Sequence, residues 1–219
     1  LEEDIKEEKL IDIINKLNND QSVDGIILQL PLPSNLDEKK IINSISPKKD
    51  IDCLTYINQG KLYCGEDVFL PCTPNSVITL LERYNVDLQG KNVVVIGRSN
   101  IVGKPVAQLL LNKNATVTIC HSKTSNLKEI CKKADILIVA IGRAKYINRE
   151  YINKKSIVID VGTSSLNGKI TGDVDFDDII DEVEMLTPVP GGVGALTTTL
   201  LIKSSCEALV KNENENFNS

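Results

Sequence analysis

Apolar residues along the chain alternate between runs at helical spacing and short continuous stretches. Over residues 1–18, Ile5, Leu10, Ile13, Ile14 and Leu17 recur at helical spacing among Glu and Lys, which predicts an amphipathic helix. Val23–Leu30 (VDGIILQL) is a short apolar run stopped by Pro31-Leu32-Pro33, the pattern of a buried strand ending in a rigid loop. Asp37–Ile45 suits a second helix. Pro47–Leu62 reads as irregular, because Asp50, Asp52 and Asn58 favour turns. Helix, strand and helix together make a fragment of an α/β unit.

From Pro74 a helix is expected to about Tyr84, and beyond it β-branched runs alternate with polar helical segments. The predicted strands are Asn92–Ile96, Thr116–Cys120, Ile136–Ile141, Ile157–Val161 and Glu184–Thr187, with helices near 103–112 and 126–133 between the first three. Such alternation predicts a parallel sheet covered on both faces. Thr197–Val210 is apolar enough for a last helix, and Lys211–Ser219 (KNENENFNS) is a polar tail expected to fray. There is no internal repeat. The fold class is α/β, a Rossmann-type parallel-sheet domain beside a partial α/β domain.

Composition narrows the function classes. With 219 residues, 42% hydrophobic and 25% charged, the chain is of ordinary globular make-up, which excludes disorder, collagen and coiled coil. A net charge of -5 argues against nucleic acid or an anionic membrane as partner. No apolar run approaches the roughly 18 or more residues of a membrane span, and the start Leu1-Glu2-Glu3-Asp4 is acidic, unlike a signal peptide. A cytoplasmic location is expected. Six cysteines without a CxxC and a single histidine, His121, predict free thiols and no metal site. A Ser-His-Asp hydrolase or a histidine proton shuttle would have to use that one imidazole. Leu1 is not a natural start, so the chain is expected to lack its true beginning.

Chemistry first shows at Val93–Pro105, where VVVIGRSNIVGKP passes from a buried strand through a glycine turn into a helix start. Glycine lets a backbone approach a pyrophosphate while free helix N–H groups face its charge. The pattern is GxxxxxG rather than GxGxxG, and a tight βα turn without a ligand fits it as well. An NAD site places an acid about 20 residues on to hold the ribose 2′-hydroxyl. Here the second strand ends in Cys120-His121-Ser122-Lys123-Thr124. Arg98, Ser99, Ser122 and Lys123 would instead suit a 2′-phosphate, which favours NADP; the alternative is that Arg98 and Lys123 are solvated loop charges.

Four stretches carry the reading further: Val23–Pro33 (VDGIILQLPLP), Pro71–Val77 (PCTPNSV), Gly97–Pro105 (GRSNIVGKP) and Pro188–Gly194 (PVPGGVG). Together with Lys49-Asp50-Ile51-Asp52, His121–Thr124 and Gly172-Asp173-Val174, they resemble the bifunctional methylenetetrahydrofolate dehydrogenase/methenyltetrahydrofolate cyclohydrolase family, in order and over nearly the whole chain. The resemblance implies a folate-binding domain at 1–73, incomplete at its start, and an NADP-binding Rossmann domain at 74–194. Residues 195–219 would return to the folate domain as a helix followed by the polar tail. It also implies a cleft between the domains, a homodimer, tetrahydrofolate derivatives as substrates and NADP as cofactor. The family's catalytic Gln and Asp fall on Gln29 and Asp52. Folate contacts fall on Gln29, Leu30, Pro31, Asp52, Pro190, Gly191 and Gly192. Cofactor contacts fall on Gly97, Arg98, Ser99, Ile101, Val102, Ser122, Lys123, Thr163, Gly192 and Val193.

Read without the resemblance, these residues stay open. Gln29 on a buried strand is either a satisfied structural amide or a ligand contact, and Asp52 either caps a turn or meets a substrate. The Pro188–Gly194 stretch is either a rigid turn or a backbone laid against a flat ring.

The implied reaction moves a hydride from the methylene carbon between N5 and N10 of tetrahydrofolate to NADP+, giving a cation that water then opens to 10-formyltetrahydrofolate. The first step asks for alignment rather than a strong base, while the second requires proton handling. The family assigns that to a Tyr-xxx-Lys upstream of Leu1. The Tyr151–Lys155 spacing imitates it, but lies before a cofactor-domain strand and is expected to be a solvated pair. Either the chain is a piece of a bifunctional enzyme, the preferred reading, or it is an NADP- and folate-binding fragment with impaired catalysis. A Rossmann-type NADP-binding regulator without chemistry would bind nucleotide indifferently to folates, and another NADP oxidoreductase, such as one like shikimate dehydrogenase, shares the GRS-like turn but would not account for QLPLP and PVPGGVG. Cys53 stands where the family commonly has Gly.

Overall fold

The structure, a computed structural model, describes residues 1, 2 and 4–217. Contacts divide the chain into two compact units, one of Leu1–Pro71 with the chain from Leu201 onward, the other Cys72–Leu200.

In the Cys72–Leu200 unit the β-branched runs form the sheet. The strands are β1 (Asn92–Ile96), β2 (Thr116–Cys120), β3 (Ile136–Val139), β4 (Ile157–Asp160) and β7 (Met185–Leu186), parallel in the order β2-β1-β3-β4-β7. In β1 register, Val94 pairs with Thr118 on one side and Leu137 on the other. Every residue of β3 and β4 is buried, as a strand covered on both faces requires. Val94, Leu137, Val139 and Val158 join Ile147, Val174 and Ile179 in one apolar cluster, each side chain contributing about 1.5–3 kcal/mol by leaving water. Helix α4 (Cys72–Arg83) packs on α5 (Gly103–Asn112), and α6 (Leu127–Cys131) follows β2. From β1 the chain moves outward to β2 and then crosses back to β3, so the strand order reverses between β1 and β3. Ligands of open α/β sheets bind outside the strand ends at such a reversal.

A hairpin not anticipated from the sequence, β5 (Ser164–Leu166) with β6 (Lys169–Thr171), turns on Asn167-Gly168, both at positive φ, a pairing that favours tight hairpin turns. A short helix, α7 (Phe176–Ile179), precedes β7.

The other unit is built differently. Helix α1 (Glu7–Asn19) buries Leu10 and Ile14 against Ile26, Ile41 and Ile45, and α2 (Glu38–Ile42) is capped by the Asp37 carboxylate, which accepts from the N–H groups of Lys39 and Lys40. The expected buried strand at Val23–Leu30 does not form. The run makes one isolated parallel bridge, Ile26 with Asp50, and Ile27 is 47% exposed. An extended segment becomes a strand when neighbours pair along its length, and a single bridge supplies none of that. Nor is Pro47–Leu62 irregular throughout. Helix α3 (Tyr56–Cys64) starts at Thr55, whose hydroxyl accepts from Asn58 N–H, and stops at Gly65 at φ 74; both signals are ordinary helix boundaries.

The last helix, α8, runs Val193–Phe217 and is longer than 197–210. Of the tail expected to fray, 211–217 continue this helix, while 218 and 219 lie outside the described residues. By length and composition Val193–Glu213 is long and apolar enough to cross a membrane, with 22% of its most apolar stretch buried, although a single such helix does not by itself mark a span. Thr197–Thr199, Ser204 and Ser205 break up its apolar run without lowering its mean hydropathy far.

Candidate functional site

The glycine turn sits where the strand order reverses. Gly97 directly follows β1, its N–H bonded to the Cys120 carbonyl at 2.9 Å, and Ala140 N–H bonds the Ile96 carbonyl at 2.8 Å. Gly97 has φ 125, and a Cβ there would collide with the Ala140 carbonyl oxygen. Gly103 is equally constrained, since a Cβ on it would strike the Gly97 carbonyl. These two positions let β1, the β3 end and the start of α5 approach as closely as they do.

Beside this turn lies a cavity of about 310 Å³. Its polar lining is Arg98, Ser99, His121, Ser122 and Arg143, and its apolar walls include Ile96, Leu127, Ile141 and Tyr146. No acid lines it. The hollow at the ends of β1, β2 and β3, with hydroxyls and two guanidiniums, suits an adenosine carrying a 2′-phosphate. Lys123 is on the adjoining turn but not in the lining. That turn is shaped by Thr124, whose hydroxyl accepts from His121 N–H at 2.9 Å, and by His121 Nδ1, which accepts from Lys123 N–H at 3.1 Å.

The helix start is less open than the sequence suggests. Ser99 Oγ accepts from the N–H groups of Val102 at 3.1 Å and Gly103 at 3.3 Å, and the Ser99 carbonyl accepts from Lys104 N–H at 3.0 Å. These donors are therefore spent within the protein rather than free for a phosphate, as expected from the turn alone. Ile101 and Val102 are half-buried in the same turn, Thr163 is exposed just beyond β4, and Val193 is buried at the first position of α8.

Two fully or nearly buried carboxylates, to which the sequence reading gave no role, fix the loops around this site. Asp173 accepts from the N–H groups of Ile141 at 2.6 Å, Gly142 at 2.9 Å and Arg143 at 2.7 Å. Asp160 accepts from the N–H groups of Gly162, Asp173 and Val174 at 2.9, 3.1 and 2.9 Å. Burial pushes the Asp160 carboxyl up to about 6 in spite of these donors. Asp173 lies in the Gly172-Asp173-Val174 stretch, and glycine is required beside it: a Cβ on Gly172 would meet Asp160, and one on Gly162 would meet Asp173.

Gly191 and Gly192 line a second hollow of about 360 Å³, with Leu80, Tyr84, Met185 and Pro188. The Val189–Pro190 peptide is cis, and a Cβ on Gly192 would collide with the Pro188 carbonyl.

In the Leu1–Pro71 unit, Gln29 is exposed and its Nε2 donates to the Leu30 carbonyl at 3.1 Å, beside a cis Leu30–Pro31 peptide. It is therefore not the buried amide that a covered strand would have carried. Asp50, rather than Asp52, builds the neighbouring loop. It is 1% exposed and accepts from Leu54 N–H, Thr55 N–H, Thr55 Oγ1 and Asn58 Nδ2 at 2.7–3.0 Å. Asp52 is half-buried at the tip of this loop. Cys53 follows at φ 55, a left-handed conformation suited to glycine. Burial, and then the charges of Asp50 and Asp52, push its thiol up to about 12.

Tyr151 is not solvated as expected. It is 7% exposed, packs 5.8 Å from the Tyr146 ring, and burial pushes its hydroxyl up to about 12; Lys155 is exposed. All six cysteines are free, and among the described residues no group of His, Cys, Asp and Glu could hold a metal.

Comparison with known proteins adds two matches along the chain. Residues 71–213 match the model of the tetrahydrofolate dehydrogenase/cyclohydrolase NAD(P)-binding domain, and residues 1–52 that of the tetrahydrofolate dehydrogenase/cyclohydrolase catalytic domain. The bifunctional protein FolD of Clostridium beijerinckii is 71% identical over 97% of this chain and 76% of its own length. The crystal structure of the bifunctional FolD dehydrogenase/cyclohydrolase from Campylobacter jejuni is 44% identical with a TM-score of 0.93, covering 98% of this chain and 76% of that one. The Trypanosoma brucei dehydrogenase-cyclohydrolase, solved with NADP cofactor and inhibitor, is 36% identical with a TM-score of 0.90, over 95% and 74%.

Proposed function

The chain belongs to the tetrahydrofolate dehydrogenase/cyclohydrolase family, and from that premise we infer that its work is one-carbon transfer on tetrahydrofolate. It oxidises 5,10-methylenetetrahydrofolate to 5,10-methenyltetrahydrofolate with NADP+ and hydrolyses the product to 10-formyltetrahydrofolate. The observation that carries this is the Gly97–Gly103 turn at the reversal of strand order, beside a cavity lined by Arg98, Ser99 and Ser122 and by no acid.

The residues present fit NADP. Close approach at Gly97 makes room for a nucleotide backbone at the strand ends, and the two arginines and the hydroxyls suit a phosphate on the ribose. Bound there, the cofactor supplies a hydride acceptor. Within this reading, Gly97, Arg98, Ser99, Ile101, Val102, Ser122, Lys123, Thr163, Gly192 and Val193 hold it. Gln29, Leu30, Pro31, Asp52, Pro190, Gly191 and Gly192 hold the folate. Gln29 offers both an acceptor and a donor from an exposed amide, and Asp52 offers a carboxylate on a loop that Asp50 holds in place. The task of both is to orient the substrate ring, since the departing hydride is driven out by the folate nitrogens themselves.

The same reading places the folate domain at 1–73, the NADP domain at 74–194 and a returning helix at 195–219. A homodimer and a cytoplasmic location complete it. Six free thiols suit a reducing compartment.

The direct test is an absorbance assay of the chain with NADP+ and 5,10-methylenetetrahydrofolate, with an acid quench that separates methenyl product from NADPH. The expected result is equal formation of the two, dependent on both reactants. A chain that binds NADP+ and yields neither product overturns the reading.

A further inference from the structure

Several cations of the Cys72–Leu200 unit are paired, while others, among them Arg83, Lys91, Lys123, Lys133, Lys154, Lys155 and Lys169, are in no ion pair among the described residues; of the unpaired ones, Arg98 and Arg143 are those that line the cavity. Lys113 is paired with Glu82, Lys128 with Glu150, Lys145 with Asp175 and Asp177, and Arg149 with Asp178. Arg98 and Arg143, which both line the cavity at the ends of β1, β2 and β3, take part in none of the ion pairs among the described residues. Two guanidiniums without a counter-ion around one hollow form a site whose charge an anion would satisfy. The helix start beside it cannot take over that task, because the N–H groups of Val102 and Gly103 already donate to Ser99 Oγ.

Arg143 is also held in readiness. Its backbone N–H donates to Asp173 at 2.7 Å, so the buried carboxylate fixes the base of the side chain. Its guanidinium lies 4.2 Å from the centre of the Tyr146 ring, which is itself part of the lining. Stacking on an aromatic face fixes the plane of the fork and lowers the ordering cost of a phosphate contact. Ser122, at the position after β2 where an NAD site carries its acid, faces the same cavity.

We propose that Arg143 is a specificity-determining residue of the cofactor site, the second arginine beside Arg98 that holds the 2′-phosphate and selects NADP over NAD. The inference rests on the NADP reading above, and Tyr146 and Asp173 act in it as positioning residues.

Calorimetric titration of the full chain with 2′,5′-ADP and with ADP separates the two levels of the claim. The wild-type chain is expected to prefer 2′,5′-ADP. Arg143→Ala should weaken 2′,5′-ADP binding about tenfold, the loss of a charge-assisted contact, while changing ADP binding less than about twofold. Arg143→Lys, which keeps the charge without the planar fork, should lose about threefold. The side chain is exposed, so the unfolding temperature of both variants should match the wild type. If Arg143→Ala leaves 2′,5′-ADP binding unchanged while Arg98→Ala weakens it, the inference falls and the NADP reading stands. Equal weakening of both nucleotides would place Arg143 on the adenosine and also overturn the inference. A wild-type chain with no preference for 2′,5′-ADP overturns the NADP reading and the inference with it.

Discussion

The unit Cys72–Leu200 is framed by its backbone: five parallel strands exchange ladder hydrogen bonds, and buried carboxylates are added at the strand ends to pin loops. In the unit that contains Leu1–Pro71 the proportions are inverted. One bridge, Ile26 with Asp50, stands in for a ladder, and side chains do the joining. Asn18 bonds the Ser44 carbonyl and Ser46 N–H, Lys49 bonds the carbonyls of Leu17 and Asp20 at the end of α1, and Asp50 gathers Leu54, Thr55 and Asn58. A ladder spreads its energy over many equivalent bonds, whereas a side-chain frame concentrates it in a few residues. The first kind of unit is hurt most by loss of core volume, and the second by loss of a single polar group.

Truncation at the centre of the ladder should have the largest effect. Leu137 is fully buried on β3, and Leu137→Ala is expected to cost about 4 kcal/mol, transfer plus cavity, in chemical denaturation. In the other unit the corresponding weak point is Asp50. Asp50→Ala strands several buried donors and should cost about 3 kcal/mol, with loss of protease resistance at 50–58 before any change at the sheet. If the polar change proves harmless while an apolar truncation such as Ile14→Ala is severe, the contrast between the frames is broken.

A smaller effect separates carboxylates that pin loops from one that forms a frame. The Asp160 carboxyl is raised to about 6, chiefly by burial. The folded state therefore takes up this proton before the unfolded chain does. The contribution to stability is full below about 3.8 and is lost as pH rises through about 6. Asp160→Asn should cost about 1–2 kcal/mol at neutral pH and remove this component of the slope of stability between pH 4 and 6. An unchanged slope would contradict the assignment.

Thiol labelling perturbs least of all. Cys64 and Cys206 are exposed and should react at once with a disulfide reagent. Cys53 and Cys131, whose thiols burial pushes up to about 12, should react only through opening. Cys53 is expected to become reactive at lower urea than Cys131, which would sharpen the contrast between the units.

How far the sequence could be read follows the same division. The parallel sheet is legible because Val93–Ile96, Ile136–Val139 and Ile157–Ile159 are continuous apolar runs whose burial is decided locally. Val23–Leu30 has the same apolar character, but whether a run becomes a strand depends on pairing partners that its own residues do not encode. Helix α3 is bounded by Thr55 and Gly65, but the turn-forming Asp50, Asp52 and Asn58 around its start mask it in the pattern. At the site, the glycine turn, Arg98 and Ser122 are contiguous with recognisable strand ends. Arg143 and Tyr146 join the cavity because Asp173, 30 residues on from Arg143, folds their loop back, a long-range contact that spacing cannot announce.

The central claim joins this contrast to function: the ladder-framed unit binds the nucleotide, and the side-chain-framed unit supplies folate contacts at Gln29–Pro31 and Asp52. Hydrogen exchange of the chain read by mass spectrometry, with NADP+ alone and with tetrahydrofolate alone, tests it most directly. The account predicts that NADP+ slows exchange at 97–103 and 141–143 and leaves 26–54 unchanged, while tetrahydrofolate slows exchange at 29–31 and 52–54. Protection of 26–54 by NADP+ with none at 97–103 would contradict it.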